Sequence, residues 1–123
     1  MEKLAERFHC IIAGDHGFVL LAGERAGPAG HALVTLRPTI YDDGPLAVLD
    51  ELYVQPSRRN RGLGSLMLQK AIAEVQARGG SEMHINVDEV DLDARRFCER
   101  HGFTNIQPGE DFRMLCYLKE LQP

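Results

Sequence analysis

Cysteine is scarce in this chain, and no cysteine lies at a spacing that metal or redox sites use. Only Cys10, Cys98 and Cys116 occur, an odd count without a C-x-x-C pair. The five histidines likewise show no ligand spacing such as H-x-x-x-H. We therefore expect no structural metal, and a reducing, cytoplasmic environment.

Long apolar runs are also missing. No stretch approaches the roughly 18–20 apolar residues that cross a bilayer, and the N-terminal MEKLAERFHCIIAG lacks the basic region and long apolar run of a signal peptide. The 14 basic and 18 acidic residues give a net charge of −4, which argues against general nucleic-acid binding because that depends on neutralising phosphates. We expect neither a membrane nor a nucleic acid as partner.

The length fits one domain spanning residues 1–123, which is enough to bury a core without disulfide or metal crosslinks. A weak helical pattern over residues 2–13 precedes three apolar runs, at residues 18–22, 31–36 and 46–54. Turn-rich segments separate these runs, of which 24–30 is the clearest. Short connections favour antiparallel pairing, so the three runs predict a meander.

The second half of the chain changes to a helical period. It predicts a helix at 63–78, a strand at 83–87, a helix capped by Asp91 or Asp93 that runs to His101, and a last strand at 114–118. A strand–helix–strand crossing makes the strands on either side of the first helix parallel neighbours. The whole order indicates an α+β fold with a mixed, mostly antiparallel central sheet and flanking helices.

A glycine-rich turn lies between the third strand and the first long helix. Arg59, Gly62 and Gly64 form an R-x-x-G-x-G pattern, with Arg58 and Arg61 beside it. The N–H groups and dipole of a helix N-terminus attract anions, and glycines let the backbone approach a pyrophosphate. The Rossmann G-x-G-x-x-G and the P-loop Gly-Lys-Ser/Thr patterns both fail here. The turn predicts phosphate binding; a tight helix start without a ligand is the alternative.

Two blocks of sequence carry a family resemblance. ELYVQPSRRNRGLGSLML, residues 51–68, resembles the acetyl-CoA-binding signature of the GNAT superfamily of N-acetyltransferases, and DLDARRFCERHGF, residues 91–103, resembles that family's helix ending in Gly-Phe. The strand VLDELYV most resembles that of the small-amine, polyamine-type members. The resemblance implies a GNAT-like fold and an enzyme that moves an acetyl group from acetyl-CoA to a primary amine by direct attack in a ternary complex.

The resemblance also assigns the residues that hold acetyl-CoA. Its pyrophosphate cradle falls on Arg59, Asn60, Arg61, Gly62, Leu63, Gly64 and Ser65. Its pantetheine-pairing strand falls on Leu52, Tyr53 and Val54. In this family that strand splays from the next one, the acetyl-pantetheine arm lies in the gap, and backbone N–H groups there polarise the thioester carbonyl.

The chain departs from the family pattern in two places. The tyrosine that protonates the leaving thiolate falls at Cys98, which is either a substitute acid or a small buried residue on a helix face. Few residues precede Leu46 for the family's first strand and long helix. This implies a minimal version, a fragment, or a partner subunit that completes the acceptor wall, and an open sheet edge would favour a homodimer.

The acceptor side needs a carboxylate to hold a cationic amine and take its proton. Asp50 and Glu51 are the candidates. Strand alternation puts Leu49, Glu51 and Tyr53 on one face and Asp50 on the other, so only one acid is expected to face the thioester, and we favour Glu51. The alternative is that both acids are solvated or paired with arginines.

Two other functions stay open at this stage. One is a non-catalytic module that binds acyl-CoA, and the other is a subunit that needs a partner chain to complete the acceptor site. The acceptor itself is not determined: polyamine, amino acid, aminoglycoside, peptide N-terminus and lysine side chain all fit the motif.

Overall fold

The computed structural model describes Cys10 and residues 12–24 and 27–121. The chain divides into two compact units, residues 1–85 and 86–123. The regular elements, in chain order, are β1 (Gly17–Glu24), β2 (Gly27–Arg37), β3 (Leu46–Val54), α1 (Leu63–Ala77), β4 (Glu82–His84) and α2 (Leu92–Arg100). The single-domain assignment stays a prediction.

The first unit is built on a four-stranded sheet in the order β1-β2-β3-β4. The β1–β2 and β2–β3 pairs are antiparallel, and β3 and β4 are parallel. The predicted meander and the parallel crossover through α1 are therefore confirmed, as is the α+β fold with a mixed, mostly antiparallel sheet.

Helix α1 covers one face of this sheet. It buries Met67, Leu68, Ala71 and Val75. Gly30 of β2 lies beneath it, where a Cβ would meet the Met67 side chain at 2.9 Å and the Tyr53 carbonyl oxygen at 2.5 Å. Only glycine permits this close approach. Leu68 is fully buried, and burial of a side chain of this size stabilises a fold by roughly 1.5–3 kcal/mol.

Strand β3 contains a bulge at Asp50. Leu33 of β2 pairs with Glu51, whereas the next residue, Val34, pairs with Leu49, so Asp50 has no ladder partner in β2. A bulge adds one residue to one strand, bends it and shifts the alternation of its side chains.

Because of the bulge, some side chains of β3 do not face the side of the sheet that was predicted. Leu49 pairs with Val34 and Leu52 pairs with Ala32, and residues two apart on β2 share a face. Leu49 therefore lies on the Leu52 face, away from Glu51. The alternation predicted from sequence was wrong at Leu49 because it assumed an unbroken period of two.

Strand β2 begins four residues earlier than predicted, at Gly27, so the expected turn-rich connection is partly strand. Pro28 lies inside this strand. The β1–β2 ladder shifts register between Ala22 and Gly23, beside Pro28. Proline is tolerated at such an irregularity because it has no N–H to donate to a regular ladder.

Strand β4 is shorter than the predicted 83–87. It covers Glu82–His84 and pairs with Leu46–Val48. The bulge at Asp50 follows two residues after Val48, and the bend that a bulge introduces ends regular pairing. Within the described residues, the second half of β3 has no ladder partner on the β4 side.

The second unit contains α2. The Asp91 carboxylate accepts a hydrogen bond from the Ala94 N–H at 3.1 Å, which confirms Asp91 as the N-cap. The predicted last strand at 114–118 is wrong: these residues are not strand, and Tyr117 is 90% exposed. The described part of this unit has no other strand, and a strand needs a partner for its backbone groups.

The predicted helix at 2–13 lies outside the described residues except for Cys10, Ile12 and Ala13, which have helical backbone. Among the helices that are described, none is long and apolar enough to cross a membrane.

Candidate functional site

The turn between β3 and α1 has a specific backbone shape. A short 3₁₀ turn at Pro56–Arg58 follows β3. Asn60 and Gly62 then take positive φ angles of 63° and 80°, the left-handed region that glycine, and to a lesser degree asparagine, adopts readily. These two residues turn the chain from the sheet into α1.

The N-terminus of α1 faces open space. Gly62 is the N-cap residue, no side chain caps the first turn, and no acidic residue lies in it. A Cβ added to Gly62 would meet nothing within 4 Å. The N–H groups and positive dipole end of the helix are thus accessible to a ligand.

Positive charge surrounds this turn without local compensation. No aspartate or glutamate occurs between Glu51 and Glu74. The ion pairs among the described residues involve neither Arg58 nor Arg61. The cradle predicted at Arg59–Ser65 therefore fits a phosphate-bearing ligand in shape and charge.

Arg59 ties the cradle to the end of β3. Its Nε donates a hydrogen bond to the Val54 carbonyl at 2.9 Å, and its guanidinium lies 6.0 Å from the Tyr53 ring centroid. Such a cation–π contact at an exposed site contributes about 0.5–1 kcal/mol. Arg59 thus fixes the path of the turn as well as adding charge.

The predicted pantetheine-pairing residues lie at the open half of β3. Leu52, Tyr53 and Val54 pair with β2 on one side. On the other side the described residues provide no ladder. Backbone groups without a ladder partner can pair with an extended ligand.

Glu51 forms a pair with His31, a residue that sequence analysis did not select. His31 Nε2 lies 2.9 Å from Glu51 Oε1, and the side chains are 24% and 41% exposed. The His31 ring stacks on Tyr53 with centroids 5.5 Å apart. The two residues are twenty positions apart in sequence, so only the cross-strand register reveals the pair.

Asp50 has a partner of its own. The Thr35 hydroxyl donates a hydrogen bond to Asp50 Oδ2 at 2.5 Å, and Thr35 lies on the same face of β2 as His31. The expectation that Asp50 and Glu51 lie on opposite faces is wrong, because the bulge brings the Asp50 side chain to Thr35.

A separate cleft of about 530 Å³ lies where β3 begins, lined by the loop after β2 and by β4. The Ser81 hydroxyl donates to the Asp42 carboxylate there. This bond, with the backbone N–H groups of Asp43 and Gly44, lowers the pKa of Asp42. His84 Nε2 lies 2.6 Å from Glu82 Oε2 at the same end. The cradle lies at the other end of β3.

Cys98 lies on α2 in the second unit and is 7% exposed. Burial raises the pKa of its thiol, and the charges of Glu99 and Asp91 add to that effect. A raised pKa makes the thiol a weaker proton donor. The interpretation of Cys98 as a packed helix residue gains support, and its role as an acid stays a hypothesis.

We expect alkylating reagents to modify Cys10 and Cys116 well before Cys98. The first two are exposed and Cys98 is buried. The thiolate is the reactive form, so a raised pKa also shifts the Cys98 reaction to higher pH. Mass spectrometry of iodoacetamide-treated protein at several pH values measures this order. Equal rates at all three cysteines would contradict the burial of Cys98.

Across the parts of the chain that the structure describes, no group of three His, Cys, Asp or Glu side chains is placed to hold a metal ion.

Comparisons with known proteins agree with the fold. The model of the acetyltransferase (GNAT) family matches residues 1–103. A protein from Arthrobacter sp. FB24 assigned as an acetyltransferase is 48% identical, with 98% of this chain and 76% of that chain covered and a TM-score of 0.87. No curated protein matches the chain.

Two more distant structures share the fold. An aminoglycoside acetyltransferase from an uncultured soil metagenomic sample is 18% identical, with 95% of this chain and 74% of that chain covered and a TM-score of 0.78. The aminoglycoside N-acetyltransferase AAC(6')-Iy, in complex with CoA, is 22% identical, with 98% and 87% covered and a TM-score of 0.73. The narrower resemblance to polyamine-type members is not among these findings. The chain belongs to the GNAT family of acetyltransferases.

Proposed function

We propose that this chain is an N-acetyltransferase that moves an acetyl group from acetyl-CoA to a primary amine. The observation that carries the proposal is the cradle at Arg59–Ser65. An uncapped helix start, a glycine in the left-handed region and arginines without acidic partners lie together there. That combination suits the pyrophosphate of CoA.

The residues around the cradle would hold acetyl-CoA at two places. The N–H groups at the start of α1 and the charges of Arg58 and Arg61 would bind its phosphates. The open edge of β3 at Leu52–Val54 would pair with the pantetheine arm and direct the thioester toward the Glu51 face. When bound, acetyl-CoA supplies an activated acetyl thioester.

Glu51 would act on the acceptor. Its side chain is 41% exposed, so an ammonium group can reach the carboxylate. Glu51 would take a proton from that ammonium, and the freed amine would bond to the thioester carbonyl carbon. The carbon–sulfur bond would then break, and the second proton of the attacking nitrogen would pass to the leaving CoA thiolate, which gives the neutral amide and CoA. Asp50, held by Thr35 on the same face, would add negative charge that attracts a cationic amine.

The acceptor class proposed is a small amine that is cationic in water. One of the structures that shares the fold is an aminoglycoside acetyltransferase solved with sisomicin. That complex is a property of that protein. For this chain the proposal names small cationic amines as a class, in the cytoplasm, and no particular acceptor.

A non-catalytic acyl-CoA-binding module is the second candidate. The observation that favours it is Cys98, whose buried thiol with a raised pKa takes the place of the tyrosine acid implied by the resemblance. Turnover with any amine separates the two candidates.

Calorimetric titration with acetyl-CoA, followed by an amine screen for CoA release, tests the proposal. We expect saturable binding of one acetyl-CoA per chain and CoA release that depends on an added amine. Binding without turnover across polyamines, aminoglycosides, amino acids and peptides would support the binding module. Absence of binding would overturn both candidates.

A further inference from the structure

We infer that His31 is a positioning residue that orients Glu51 toward the acceptor amine. This inference rests on the proposed function, since it assigns His31 a part in the same reaction. Neither the motif nor the resemblance pointed to His31, and the pair becomes visible only in the β2–β3 ladder.

The sheet register brings His31 and Glu51 together. His31 pairs directly with Tyr53, and Leu33 pairs directly with Glu51. His31 and Glu51 are therefore diagonal neighbours on one face, within reach of long side chains. The separation of 2.9 Å between His31 Nε2 and Glu51 Oε1 is a hydrogen-bond distance.

The imidazole is itself held in place. Tyr53 stacks on it with an angle of 29° between the rings, and Arg59 lies over the same Tyr53 ring. Arg59 is in turn bonded to the Val54 carbonyl. A continuous series of contacts thus connects the Glu51 carboxylate, through His31 and Tyr53, to the first residue of the cradle.

The exposed fractions of the two side chains indicate a different role for each residue of the pair. Glu51 is the more exposed partner, at 41% against 24% for His31, so the carboxylate meets the acceptor and the imidazole lies behind it. One carboxylate oxygen, Oε1, is occupied by His31. Oε2 then has a defined direction in which to hold an ammonium group and take its proton. A carboxylate on a flexible glutamate without this bond would sample several rotamers.

The Tyr53 ring also couples the position of Arg59 in the cradle to the position of His31 on the acceptor side. The ring contacts both the Arg59 guanidinium and the His31 imidazole. A change in the path of the turn at Arg59 would therefore move the ring that supports His31. The inferred role of His31 is thus orientation of the reacting carboxylate, since the imidazole itself does not meet the acceptor.

Three variants test this role in steady-state kinetics. H31F keeps a ring to stack on Tyr53 but cannot donate to Glu51. H31Q carries an N–H donor at a position close to Nε2. H84F is the matched control, because His84 forms a similar pair with Glu82 on β4 of the same sheet. Thermal melts of all variants report whether the fold is kept.

We expect H31F to lower kcat by between about 10-fold and 100-fold, because misplacement of a reacting group by about 1 Å costs rates of that order. The KM for acetyl-CoA and its calorimetric Kd should stay unchanged. H31Q should recover most of the lost rate, and H84F should match the wild type. If His31 were only structural, H31F would lower the melting temperature without a selective loss of kcat at an unchanged KM for acetyl-CoA.

The double variant H31F/E51Q gives the decisive comparison. If His31 acts through Glu51, the double variant should be no slower than E51Q alone. Multiplied losses in the double variant, or an H31F enzyme as fast as the wild type, would overturn the role of His31 while leaving the proposed function intact. A wild-type protein that binds acetyl-CoA but releases no CoA with any amine would overturn both.

Discussion

We expect G62D to reduce acetyl-CoA affinity by at least about tenfold, which corresponds to about 1.4 kcal/mol. Gly62 lies at the N-terminus of α1 with φ of 80° and open space around it. Aspartate tolerates this backbone region, as Asp15 shows in this chain with φ of 56°. The new carboxylate would repel a phosphate at the cradle. Calorimetric titration with acetyl-CoA measures the loss.

Two control variants separate charge from shape in this prediction. G62N has nearly the size and backbone tolerance of G62D without its charge, so it should bind acetyl-CoA more tightly than G62D does. Gly79 has φ of 87° and equally open space at the other end of α1. G79D thus adds the same charge to the same kind of backbone and should leave affinity unchanged. Equal affinities for G62D and the wild type would contradict the cradle.

We expect E51Q to lower kcat by on the order of 10²-fold or more, since general base catalysis contributes about 10²–10⁴-fold. The glutamine keeps the size of Glu51 and can still bond to His31, but it cannot take a proton. Because Glu51 lies outside the cradle, the Kd for acetyl-CoA should not change. Steady-state assays of CoA release at saturating amine measure the effect, with calorimetry alongside.

E82Q is the matched control for E51Q. Glu82 also accepts a histidine contact, at 2.6 Å from His84, on a neighbouring strand of the sheet. E82Q should leave kcat unchanged if E51Q lowers kcat because Glu51 lies near the reacting groups. An E51Q enzyme with wild-type kcat would contradict the assignment of Glu51 and transfer the role to Asp50, which D50N would test in the same assay.

The turn between β3 and α1 was predictable because its signal is local. Gly62 and the arginines lie within one short segment directly before a helix with a strong apolar period. Backbone conformation and helix dipole act over the same few residues. The same is true of the Asp91 N-cap, because it depends on positions three residues apart at the start of one helix.

The acceptor side was predicted only in part because its contacts are between strands. Asp50 and Glu51 were selected as acids, but their relative orientation was wrong. The bulge depends on how β2 pairs with β3, and a period of two within one strand does not contain that information. His31 was missed for the same reason, since its partner is on another strand.

The last strand was also predicted from a local pattern and was wrong. Residues 114–118 form a short continuous apolar run that suits a strand, yet they carry no strand in the structure. A helix satisfies most of its own backbone hydrogen bonds, whereas a strand depends on a partner that the local sequence does not specify. The same dependence explains why β4 is shorter than the alternating pattern at residues 83–87.

By itself, the sequence determined the order of strands and helices from β1 to α2, the glycine-rich turn before α1 and the family of this protein, because each of these depends on residues close together in the chain. The tertiary structure decided the bulge at Asp50, the shared face of Asp50 and Glu51, and the pairing of Glu51 with His31. The physical reason is that these features depend on the register between strands, which is set by the packing of β2 and β3 against each other and against α1.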